Sequence, residues 1–175
     1  MSLNAPFKTF KVLFLGADNS ARSILAEALL NRLGAGRFEA YSAGFRPVSA
    51  ISPYAHALLH SIHYKSDTLY CKSYETFLGS HAPEFDFIFR MTSDFPSQGR
   101  WPEFNGDPMV IDWFLPDPGE VMGSSAMIAA AYADVFGRLA NRIDVFTQLP
   151  LDSLSRMALN ARLERMGEEP FRLAS

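Results

Sequence analysis

Residues 9–33 constrain this chain more than any other stretch. Thr9–Leu15 carries Phe10, Val12, Leu13, Phe14 and Leu15, a run apolar on both faces, which suits a central parallel strand covered on both sides. A short polar loop begins at Gly16, and from about Ala21 to Leu33 the residues Ile24, Leu25, Ala28, Leu29 and Leu33 recur at helical spacing. Gly34 and Gly36 stop that helix. A loop between a strand end and a helix start gathers unpaired backbone N–H groups at the positive end of the helix dipole. Such a loop is a natural seat for phosphate or a similar oxyanion. Arg22 stands where a guanidinium can close over that anion bidentately.

The remaining elements follow the same alternation. Phe38–Ser42 reads as a second strand, and Ser52-Pro53 opens a helix to about His63 with Ala57, Leu58 and Ile62 inward. A short helix is expected near Ser73–Leu78 and a third strand over Phe85–Met91. Thr92–Pro108, with its scattered Pro and Gly, reads as an extended surface loop. Met109–Trp113 is a fourth strand, closed by Pro116-Asp117-Pro118. A long helix spans about Ser124–Phe146 on a seam of Met127, Ala131, Val135, Leu139 and Ile143. After Pro150 a last helix is expected over about Asp152–Met166, with Leu151, Leu154, Ala158 and Ala161 in phase and Leu159, Leu163 and Met166 alongside.

This order implies a three-layer α/β/α fold with a four-stranded parallel sheet and right-handed crossovers. The expected organisation is a single domain over residues 1–175, its core about 10–146 and a C-terminal helical extension about 150–166. Sites in such sheets lie at the carboxyl ends of the strands, so the loop Gly16–Arg22, the loop after Met91 and Pro116–Gly119 should meet at one edge. That edge brings together Arg22, a cation near an anion nest, and Asp117, a carboxyl able to donate a proton, which is a layout suited to phosphoryl chemistry.

Composition narrows the classes. A net charge of −3 gives no support for a nucleic-acid or anionic-membrane partner. The apolar runs fall short of a membrane span and the start lacks a signal-peptide pattern, so a cytoplasmic location is the expectation. The single cysteine, Cys71, forbids an internal disulfide. His56, His60 and His63 share one predicted helix, but no carboxylate or cysteine there joins them, so no metal or cofactor is expected.

Several motifs in order resemble the low-molecular-weight protein-tyrosine phosphatase and thioredoxin-coupled arsenate reductase superfamily. Asn19-Ser20-Ala21-Arg22-Ser23 is similar to that family's Asn-x-x-Arg-Ser, and Ile24-Leu-Ala-Glu-Ala-Leu to its first helix. Tyr41-Ser42-Ala43-Gly44, Lys72-Ser73 with Phe77, Asp86-Phe-Ile and Pro116-Asp117-Pro118 are similar to later family motifs. The resemblance covers about Phe10 to Phe146. It implies an anion-binding loop over Ala17, Asp18, Asn19, Ser20, Ala21, Arg22 and Ser23, and a general acid at Asp117. It also implies a nucleophilic cysteine six residues before Arg22, where this chain has Gly16.

Glycine cannot perform the thiolate attack that the resemblance implies. Ser23 lies on the helix side, and no histidine in the loop would activate it. Asp18 puts a carboxylate beside the anion seat, a repulsion of about 1–4 kcal/mol. Thr92–Gly106 has no cysteine, so an intramolecular thiol relay is excluded by count. Gly119-Glu120 lacks the aromatics that the phosphotyrosine branch places there, which leans towards the arsenate side. The expected function is therefore a catalytically inactive relative that binds a small oxyanion (phosphate, sulfate or arsenate) or regulates a protein partner not identified by the sequence. A phosphoester hydrolase using water, Arg22 and Asp117 is one alternative. An interaction module using the 92–108 loop or the last helix is another.

Plainer roles stand beside these. Gly16 can be a hinge glycine, Asn19 and Arg22 can hold the loop together, and Asp117 can be a turn or N-cap residue. Cys71 can be a small half-buried residue, and Trp101 and Phe104 can fill space or mark a contact surface. The last helix can pack on its own sheet or serve a dimer, with self-packing favoured.

Overall fold

A computed structural model describes residues 7–93 and 100–168. The apolar run at the start becomes β1 (Phe10–Gly16), hydrogen-bonded on one side to β2 (Phe38–Gly44) and on the other to β3 (Phe87–Arg90), with β4 (Met109–Asp112) beyond. All three pairings are parallel and the strand order is β2-β1-β3-β4. In register, Gly16 lies beside Gly44 and Leu15 beside Arg90, so the carboxyl ends of the strands form one edge.

Alternation along β1 divides the core. Val12 and Phe14 face the helices: α1 (Arg22–Leu33), α2 (Pro53–Ser61), α3 (Ser125–Gln148) and α4 (Arg156–Glu168) all place buried side chains in that cluster. Leu13 and Leu15 face a thinner layer, the 3-10 turn Tyr74–Phe77 with Phe45, Phe85 and Phe104. Phe104 thus fills the core, and Trp101 packs beside it with ring centroids 5.9 Å apart. The expected four-stranded parallel α/β arrangement is present, and one of its covering layers is largely aromatic loop rather than long helix.

Several boundaries and faces differ from expectation. The segment near 73–78 is a 3-10 turn, which Ser73 caps through Glu75 N–H. On α2 the buried residues are Ala55 and Leu59, whereas Ala57 is exposed. Met127, expected on the α3 seam, is exposed, and the buried residues of α3 begin only at Tyr132, which stacks on Tyr54 of α2. The last helix begins at Arg156, not Asp152: Ser153 and Leu154 N–H groups both donate to Pro150 O and close a turn first. Counting from Leu151 therefore gave the wrong phase. Leu159, Leu163 and Met166 face inward, while Ala158 and Ala161 are exposed.

α4 packs on its own sheet. The Trp113 indole N–H, just past β4, donates to Leu163 O at 2.9 Å, and Trp113 is fully buried. Gly167 lies so close to β4 that an added Cβ would stand 2.3 Å from Asp112 O. No helix among the described residues is long and apolar enough to cross a membrane.

Candidate functional site

The loop after β1 is shaped by where its carbonyls go. Gly16 O, Ala17 O, Asp18 O and Ser20 O accept from the N–H groups of Phe45, Arg46, Val48 and Ser52. The segment after β2 thus takes up the carbonyl side of the loop. Gly44 permits this approach, since a Cβ there would meet Asn19 N at 2.9 Å and Ala17 O at 3.0 Å. α1 then starts at Arg22 with Ala21 as N-cap, a residue with no side-chain acceptor, and there is no acidic residue in its first turn. The positive end of α1 is unneutralised by its own sequence.

Asn19 holds the loop. It takes a left-handed conformation, φ 56°, which asparagine tolerates. Its Nδ2 donates to Ser23 Oγ at 2.8 Å and to Ser42 Oγ at 3.0 Å, and its Oδ1 accepts from Lys72 N at 3.0 Å. One buried amide thereby ties the loop to α1, to β2 and to the segment before Tyr74.

Below it lies a polar cluster that the sequence did not announce as a unit. Ser42 Oγ donates to Glu27 and accepts from the Lys72 ammonium at 3.4 Å; Lys72 Nζ also stands 3.6 Å from Glu27 Oε2 and donates to Tyr70 O at 3.1 Å. Burial pushes the Glu27 carboxyl up from the ordinary glutamate range, and the Lys72 charge opposes that push. The available signal was a glutamate on the inward stripe of α1 and a lysine in the Lys72-Ser73 motif, since an unpaired charge does not stay buried.

At the carboxyl edge, Ala17, Arg22, Met91, Thr92, Ser93, Phe114, Leu115, Asp117 and Glu120 line a cavity of 260 Å³. The edge brings Arg22 and Asp117 together as expected, with Arg22 Nη2 3.4 Å from Asp117 Oδ2. Arg22 is 9% exposed, and its Nη1 donates to Leu115 O at 2.9 Å and lies 3.5 Å from Met91 O. The other Asp117 oxygen, Oδ1, accepts from Gly119 N–H at 2.9 Å, which makes Asp117 the N-cap of the 3-10 turn Pro118–Glu120. Its two oxygens thus serve two purposes, one capping and one facing the arginine.

The rest of the predicted loop set does not line this cavity. Asp18 Oδ1 accepts from Ser20 N–H at 2.9 Å and Ser20 Oγ at 2.8 Å, so the loop's own carboxylate already holds one of its amides. Ser23 Oγ is engaged by Asn19 and sits 3.0 Å from where a Gly16 Cβ would be. Burial, and then the charge of Asp18, raise the Cys71 thiol, the reverse of what a nucleophile needs. His56, His60 and His63 are exposed, and no group of metal-ligating side chains occurs among the described residues.

Known proteins share this fold. An arsenate reductase from Archaeoglobus fulgidus DSM 4304 superposes with a TM-score of 0.61 at 21% identity, covering 79% of this chain and 99% of that one. A structure described as an arsenate reductase in the phosphate binding state gives 0.58 at 24% identity, over 77% of this chain and 97% of its own. The low molecular weight protein tyrosine phosphatase from T. tengcongensis gives 0.55 at 20% identity, over 81% and 100%. No curated protein sequence matches the chain. The family described as low molecular weight phosphotyrosine protein phosphatase matches residues 11–100, which include Gly16, the loop and the Asn19–Lys72 tie but not Asp117. On that match, spanning about half of the chain, the protein belongs to the low molecular weight phosphotyrosine protein phosphatase family.

Proposed function

We propose that this protein is a catalytically inactive member of its family that keeps a small-oxyanion site at the carboxyl edge of the sheet and acts by binding rather than turnover. The observation that carries the reading is Gly16. It ends β1 beneath Ser23, at the position from which the family's nucleophile would attack, and it has no side chain. Among the described residues none nearby replaces it: Ser23 Oγ is held by Asn19, and burial pushes the Cys71 thiol up, away from a thiolate.

Binding is supported by a different set of groups. The uncapped start of α1 and the Arg22 guanidinium at the cavity both favour an anion. One solved structure of this fold is described as an arsenate reductase in the phosphate binding state. Asp117 and Asp18 oppose binding, so the affinity is expected to be modest.

Isothermal titration of the native protein with inorganic phosphate is expected to give a saturable signal that Arg22→Met removes. Thermal melting, with circular dichroism, shows whether the variant is folded. Equal heats from native protein and a folded Arg22→Met variant would contradict the reading, as would no heat from the native protein at millimolar phosphate.

A further inference from the structure

The cavity that Arg22 lines is not a simple cationic cup. Its ionisable lining among the described residues is one guanidinium, Arg22, and two carboxylates, Asp117 and Glu120. The formal sum is therefore negative, although the site belongs to an anion-binding edge. Asp117 is held in a defined orientation: Oδ1 is taken by Gly119 N–H at 2.9 Å, which leaves Oδ2 as the oxygen facing Arg22 at 3.4 Å. An oxyanion that reaches the Nη2 of Arg22 must lie against that oxygen. A carboxylate is an acceptor only. It tolerates a ligand oxygen at hydrogen-bond distance when that oxygen carries a proton, and repels it when it does not.

We infer that Asp117 makes this site selective for oxyanions that retain a proton, phosphate and arsenate or a singly protonated phosphomonoester, over a fully ionised anion of the same shape such as sulfate. The inference rests on the oxyanion-site reading above and sharpens it. In the bound state the ligand hydroxyl donates to Asp117 Oδ2, while the unprotonated ligand oxygens accept from the Arg22 guanidinium. No bond in the ligand is made or broken. Sulfate has no hydroxyl to offer, so one of its oxygens faces Oδ2 with no proton between them. Sites that require a ligand's hydrogen bond discriminate strongly against isosteres that lack it. The role asked of Asp117 differs from that of a general acid: the carboxylate accepts a hydrogen bond from the ligand and donates no proton.

The test is competition calorimetry with inorganic phosphate and sulfate at matched ionic strength and neutral pH, on the native protein and on Asp117→Asn. The variant keeps an oxygen to cap Gly119 and replaces the ionised oxygen by an amide donor. The native protein is expected to bind phosphate roughly tenfold or more tightly than sulfate. In Asp117→Asn the difference should collapse, chiefly through a gain in sulfate affinity. Equal affinities in the native protein would overturn the selectivity and leave the oxyanion site standing. Binding of both anions by the variant and of neither by the native protein would also overturn it, because Asp117 would then simply exclude anions. Silence from both proteins towards both anions would overturn the site itself.

Discussion

Lys72 supports the loop from below, through Asn19 and Glu27. Lys72 is 9% exposed, and its ammonium stands among Glu27, Ser42, the Tyr70 carbonyl and the Tyr70 ring, while its backbone N–H donates to Asn19. Removing the charge with Lys72→Met strands Glu27, and the cost near neutral pH is expected to be about 3–5 kcal/mol. Glu27 has a folded-state pKa raised by burial. Its contribution to stability is therefore fully present below the ordinary glutamate range and is lost as pH rises through the raised value. Urea unfolding should show Lys72→Met much closer to the native protein in acid than at neutral pH. Adding Glu27→Gln should recover most of the neutral-pH loss. A deficit independent of pH and of Glu27 would mean that Lys72 acts through packing alone. At this scale the sequence was partly legible. Asn19, Arg22 and Asp117 were identifiable because a loop after a strand constrains residue types. Their division of labour was not, because it depends on partners far along the chain. Asn19 spends its amide on Ser23, Ser42 and Lys72, and Arg22 spends one nitrogen on the Leu115 carbonyl.

Among the elements, β1 and α1 were the most readable, since a strand buried on both faces and a helix with one apolar stripe each carry a strong periodic signal. α4 was the least. Its phase was counted from Leu151, but the turn closed on Pro150 O uncouples that residue from the helix. The contact that fixes α4, Trp113 to Leu163, joins residues that no local pattern connects. Gly167 marks the close crossing of α4 over the end of β4. Gly167→Ala would place a Cβ 2.3 Å from Asp112 O and 2.8 Å from the Trp113 ring. The helix must shift, at an expected cost of about 1–3 kcal/mol. Tryptophan fluorescence should report it as a change in the environment of Trp113, and thermal melting as a lower midpoint. An unchanged melting midpoint and spectrum would show that the helix end is free to move without loss.

For the molecule as a whole, the parallel sheet collects three separate stretches of chain at one edge: the loop after β1, the residues after β3 and the turn at Asp117. That convergence follows from strand–helix alternation and was readable in advance. The cavity's acidic lining and the second core of Phe45, Phe77, Phe85 and Phe104 were not, because they arise from tertiary packing of loop residues. The proposed inactivity rests on Gly16, which ends β1 with no side chain to act as nucleophile. The most direct measurement is the rate at which the native protein hydrolyses p-nitrophenyl phosphate, compared with folded Arg22→Met and Asp117→Asn variants prepared identically. Three rates equal to one another and to buffer are expected. A native rate above both variants would contradict the inactivity and show that the Arg22–Asp117 edge still turns over a phosphoester without the cysteine.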